Sequence, residues 1–95
     1  MKKNISLIDM FLQDKPTKIL VEMFINSQEP IYGSTLAKRI DCTYSHVIKI
    51  LKLFEQKGIV EVKRSGRLNY LELTEKGKRV GKALSELVGF LSRED

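Results

Sequence analysis

The chain has 95 residues, 42% of them hydrophobic, and a formal charge of +5. That length holds one domain with a modest core, and a single cysteine, Cys42, excludes an internal disulfide and argues against a structural zinc site, in keeping with a reducing cytoplasm. The charge is uneven: residues 1–30 sum to zero, residues 31–82 carry twelve Lys or Arg against five acids, and the last thirteen residues carry one Arg against three acids. Positive charge concentrated in one stretch is the footprint of a polyanionic partner.

In chain order, Met1-Lys2-Lys3 precedes an apolar stretch that Asp9 and Asp14 interrupt, with no small-residue cleavage site. Neither a signal peptide nor a membrane span is expected. Leu7, Ile8, Phe11 and Leu12 share a helical face, with Ser6 as N-cap and Asp9 three residues on; a strand from Ile5 to Met10 is the alternative. Pro16 suits the first turn of a second helix whose buried face is Ile19, Leu20, Met23 and Phe24, ending at Ser27-Gln28-Glu29-Pro30. Ile31-Tyr32 allows a very short strand, and Ser34 is placed to cap the next helix.

Residues 36–60 carry the densest signal. A short helical pattern (Leu36, Ala37, Ile40) runs into a tight turn at Asp41, Cys42 and Thr43, and a longer helix follows. Thr43 or Ser45 caps it, and Val47, Ile50, Leu51 and Phe54 form its buried stripe, leaving Ser45, His46, Lys49, Lys52 and Gln56 outward. Gly58 fits the left-handed position after a helix end. Two helices joined by so short a turn cross steeply, which holds the second proud of the body where a DNA major groove can receive it. Val60 and Val62, then Leu71 and Leu73, alternate with polar residues as half-buried strands, with Ser65-Gly66 as their turn.

Thr74 caps the last helix. Its Val80, Leu84, Leu87 and Leu91 recur at intervals of four, three and four, and Gly77, Gly81, Ser85 and Gly89 form a second stripe. Both stripes point to packing, either on the chain's own first helices or on a second copy. The two together exceed the needs of so small a core, so a homodimer is expected through Val80, Leu84, Leu87 and Leu91 with Leu7, Ile8, Phe11 and Leu12. No Gly-rich phosphate loop, nucleophile-and-base pair or metal-ligand spacing occurs, so neither catalysis nor a metal or other cofactor is expected.

Helix, turn, helix and basic hairpin, followed by the phrase LTEKGKRVGKAL at residues 73–84, resemble the winged-helix transcriptional regulators, in particular the MarR-like and ArsR-like groups. The resemblance covers about two-thirds of the chain. It implies an α+β, mostly helical fold: residues 34–57 as helix-turn-helix, 59–73 as a two- or three-stranded antiparallel wing, 74–92 as C-terminal helix and 1–15 as leading segment of a single domain. It also implies a sequence-specific regulator binding double-stranded DNA as a dimer. Carried over by position, Thr43, Tyr44, Ser45, His46 and Lys49 would meet bases or phosphates, and Arg64 and Arg67 would lie in the wing; Lys52 and Lys63 join them on chemistry. Two positions depart from the pattern. Asp41 stands where glycine is usual in the turn, and Ile48 stands where a polar residue is common, either to meet a thymine methyl or to widen the buried face. A winged-helix protein-interaction module is the alternative function, and nothing in the sequence nominates an effector.

Overall fold

The structure, a computed structural model, describes residues 6–12 and 15–95. The basic start, Asp14 and the first five residues of the leading segment lie outside them. Five helices and one hairpin follow in order: α1 (Leu7–Phe11), α2 (Lys15–Ile25), α3 (Gly33–Arg39), α4 (Tyr44–Gln56), β1 (Val60–Ser65), β2 (Leu68–Leu73) and α5 (Glu75–Glu94). Among the described residues, no helix is long and apolar enough to cross a membrane.

The apolar stripes meet in one core. Ile19, Leu20 and Met23 of α2, Leu36 and Ala37 of α3, and Val47, Ile50, Leu51 and Phe54 of α4 are buried together with Ile31 and the hairpin's Val60, Leu71 and Leu73. Each large aliphatic side chain so buried contributes about 1.5–3 kcal/mol. The hairpin is antiparallel, pairing Val60 with Leu73 through Ser65 with Leu68. Ile31 adds a single bridge to Leu71, whose N–H donates to the Ile31 carbonyl at 2.7 Å, so the wing has two strands and the start of a third.

Three local expectations are corrected. The Ile31 bridge keeps the backbone extended through Tyr32, so α3 begins at Gly33 with Tyr32 in the cap position and no side-chain cap; Ser34 lies within the first turn instead. Ser65 is paired, so the hairpin loop is Gly66-Arg67, with Gly66 at φ 62° in its first position. That placement of glycine suits a two-residue hairpin loop of the II′ kind. Val62 keeps the alternation but remains 44% exposed.

The α3–α4 turn is built as the sequence implied. Asp41 adopts φ 55°, the left-handed conformation that a short polar side chain tolerates. The ammonium of Lys15 donates to the carbonyls of Ile40 and Asp41, each at 3.4 Å, at the carbonyl-rich end of α3 where a cation is favoured. Cys42 packs at the edge of the core.

Candidate nucleic-acid interface

The candidate surface begins at the N-terminus of α4. Thr43 is extended, and its Oγ1 accepts from the His46 N–H at 3.2 Å, satisfying one free donor of the first turn. With Val47, Ile50, Leu51 and Phe54 buried, the helical repeat places Ser45, His46, Lys49, Lys52 and Gln56 in solvent. Tyr44 is exposed over its outer part, while its ring edge and the Ile48 side chain close on Gly33, where an added Cβ would lie 3.4 Å and 3.1 Å from them. Ile48 therefore widens the buried face, and Gly33 seats α4 on the start of α3.

The hairpin has two unlike faces. Strand alternation puts Val60, Val62 and Arg64 opposite Leu73, Leu71 and Asn69 on one face, and Glu61 and Lys63 opposite Glu72 and Tyr70 on the other. The first face looks toward α4: a groove of about 240 Å³ is lined by Tyr44, Ile48, Lys52 and Glu55 of α4 and by Val62, Asn69 and Leu71 of the wing. Arg64 shares that face at the hairpin tip, beside the exposed Arg67. Arg64 Nε donates to Asn69 Oδ1 at 3.3 Å.

Lys63 lies on the opposite face of the hairpin from Arg64. Its ammonium is 3.1 Å from a Glu61 carboxylate oxygen. A hydrogen bond and charge attraction from Glu61, reinforced by Glu72, raise its pKa above the usual lysine value. Its charge is thus balanced within the wing, where it offsets the repulsion between the directly opposed Glu61 and Glu72. Among the described residues, ion pairs join Arg39 to Glu22, Lys63 to Glu61 and Lys78 to Glu75, and none of them engages Lys49, Lys52, Arg64 or Arg67. Among the described residues, the outward cations of α4 and those of the wing tip are therefore not paired within the chain.

The far end of α4 is fastened to α5. Thr74 Oγ1 donates to the Gly58 carbonyl at 2.6 Å and accepts from the Gly77 N–H at 3.0 Å, so one hydroxyl caps α5 and grips the corner after α4. Lys76 Nζ donates to the Lys57 carbonyl at 2.7 Å. Gly77 is required because a Cβ there would run into the Ile59 carbonyl oxygen, and Gly58, at φ 74°, turns the chain. The phrase Leu73-Thr74-Glu75-Lys76-Gly77 is a clamp on residues 57–59, the corner that follows α4.

The same helix corrects the reasoning behind the expected interface. Val80 and Leu84 pack against the chain's own core, Leu91 is buried, and Gly81 lets Phe24 of α2 approach to 2.9 Å of where its Cβ would be. These stripes are largely consumed within the chain. Leu87 remains 42% exposed, one turn from Phe90 at 50%. On α1, which packs against α5, Leu7 and Ile8 are half-buried, as is Leu12 just after it, while Phe11 is 67% exposed. Among the described residues, no group of three or more His, Cys, Asp or Glu is arranged to hold a metal.

No protein-family model matches the chain. An uncharacterized protein of Archaeoglobus fulgidus is 24% identical over 89 residues, covering 92% of this chain and 94% of that one. Among solved structures, AF1382 from Archaeoglobus fulgidus superposes with a TM-score of 0.81 at 24% identity, over 88% of this chain and 94% of that one. MepR, a transcription regulator of the Staphylococcus aureus multidrug efflux pump MepA, gives 0.76 at 17% identity, over 93% of this chain and 66% of that one. The MarR family transcriptional regulator SPO1453 from Silicibacter pomeroyi gives 0.75 at 18%, over 83% and 56%. The fold is thus the winged helix of MarR-family regulators, and the chain spans about two-thirds of the length of MepR and less of SPO1453.

Proposed function

We propose that this protein is a transcriptional regulator that binds double-stranded DNA sequence-specifically, as a homodimer on a pseudo-palindromic operator in the cytoplasm. One observation carries the proposal: the outward face of a capped, clamped helix presents Ser45, His46, Lys49 and Lys52 beside a hairpin tip with Arg64 and Arg67, and among the described residues none of these four cations is spent on an ion pair. The likeness to MepR, which has been solved in complex with DNA, supports a DNA-binding reading.

In this reading α4 enters the major groove. Lys49 and Lys52 reach base edges or phosphates, Thr43, Tyr44 and Ser45 contact the backbone, and Arg64 and Arg67 engage the flanking strand. Lys63 takes no part. The dimer uses what the monomer leaves uncovered, Leu87 and Phe90 of α5 with Phe11 of α1. Two copies related by a two-fold axis would place their α4 helices in successive major grooves, about 34 Å apart. Selection of bound sequences from a random duplex pool tests this reading: an enriched inverted repeat is expected. Binding without enrichment would make the protein a non-specific DNA binder, and absence of binding would make the winged helix a protein-interaction module.

A further inference from the structure

We propose that Asn69 is a positioning residue for Arg64: it grips the wing guanidinium by its Nε edge and presents both terminal nitrogens to the DNA with their charge intact. This inference rests on the DNA-binding reading. The two residues are directly opposed in the strand ladder, on the face that looks toward α4. Nε donates to Asn69 Oδ1 at 3.3 Å. An amide nitrogen could not take that place, because it has no lone pair to accept with.

Two features make the pairing specific. With Nε engaged, the side-on edge of the guanidinium is occupied and the end-on pair of Nη groups is left to meet a phosphate or a groove acceptor in a bidentate fashion. Because Asn69 is neutral, the guanidinium is oriented without being neutralised. The other face shows the contrary arrangement one residue away, where Glu61 holds Lys63 and balances its charge. Orientation before binding lowers the ordering cost of the contact, which would otherwise fall on a long, freely rotating side chain.

The test uses the full chain, a duplex carrying the enriched site, and the Arg64 side-chain Nε–H signal in nitrogen-15 spectra, identified by its loss in Arg64→Ala. Asn69→Ala is expected to weaken binding about two- to tenfold, the net worth of one hydrogen bond, and to have no effect in an Arg64→Ala background. It should also shift the Nε–H signal to that of a free arginine. Asn69→Asp retains the acceptor, so the Nε–H signal stays near its wild-type position, but it cancels the charge and lowers the slope of log affinity against log salt by about 0.9. Equal losses in both backgrounds, unchanged affinity for Asn69→Ala, or an unmoved Nε–H signal would overturn the proposal. If Lys49→Ala weakens binding while Arg64→Ala does not, the DNA-binding reading survives and this inference alone falls; if the wild type binds no duplex, both fall.

Discussion

Gly77 and Gly89 lie on one sequence stripe of α5, yet their surroundings are opposite. A Cβ on Gly77 would run into the backbone carbonyl of Ile59, whereas one on Gly89 would meet only the end of the Arg93 side chain, at 3.5 Å. The repeat explains the divergence: residues four apart on an α-helix advance about 40° per step, so three steps carry the stripe about 120° around the helix. It starts against the α4 corner, passes Phe24 at Gly81 and runs out toward solvent. The N-terminal half of α5 therefore anchors the corner after α4, and the C-terminal half leaves Leu87 and Phe90 exposed. A repeated residue type does not imply a repeated role.

The largest expected effect breaks the anchored end. Gly77→Ala forces a methyl group against a backbone carbonyl that no side-chain rotation can relieve, and should destabilise the fold by about 3 kcal/mol or more, lowering the melting temperature by about 12 °C or more. Thermal unfolding measures it, and an unchanged midpoint would show that the clamp is absent. At the free end, Leu87→Glu should leave the fold intact and shift the protein from dimer to monomer at micromolar concentration in light scattering. A variant that instead unfolds would assign Leu87 to the chain's own core, and a wild type that is already monomeric with and without DNA would remove the interface. Gly89→Ala sharpens the contrast with the opposite sign: removing an interior helical glycine should stabilise by up to about 1 kcal/mol. A loss of dimer on that change would mean that a second copy approaches closely there.

Much of this architecture was legible because it is written in local chemistry. Thr43 and Thr74 as caps, Gly58 and Asp41 in left-handed positions and the buried stripe of α4 each follow from a residue type meeting a backbone requirement. What failed depended on pairing between distant segments. Ser34 was displaced from the cap position by the Ile31–Leu71 bridge, which no local pattern announces. Placing the wing loop at Ser65-Gly66 instead of Gly66-Arg67 opposes Arg64 with Arg67 and hides Asn69, because a one-residue error in the loop moves every cross-strand partner by two. The α5 stripes looked surplus only because Ile59 and Phe24 could not be seen against them. Lys63 and Arg64 are neighbours in sequence, yet strand alternation puts them on opposite faces, which only the register reveals.

That last distinction gives the smallest expected effect. Lys63→Ala should change duplex affinity much less than Arg64→Ala, because Lys63 is already balanced by Glu61. Fluorescence anisotropy on one duplex compares the two directly, and equal losses would return Lys63 to the interface.

The joint use of α4 and the wing tip is tested most directly by a salt titration on the enriched operator and on a scrambled duplex. Lys49→Ala should weaken operator binding more than scrambled binding, within the about 1–3 kcal/mol that a good base contact contributes to discrimination. Arg64→Ala combined with Arg67→Ala should weaken both duplexes alike. It should also reduce the slope of log affinity against log salt by about two, since each phosphate that an arginine neutralises contributes about 0.9. Equal losses on both duplexes for Lys49→Ala would take it out of base readout, an unchanged slope for the double variant would take the wing out of the interface, and undiminished affinity in both variants would contradict DNA binding by this face.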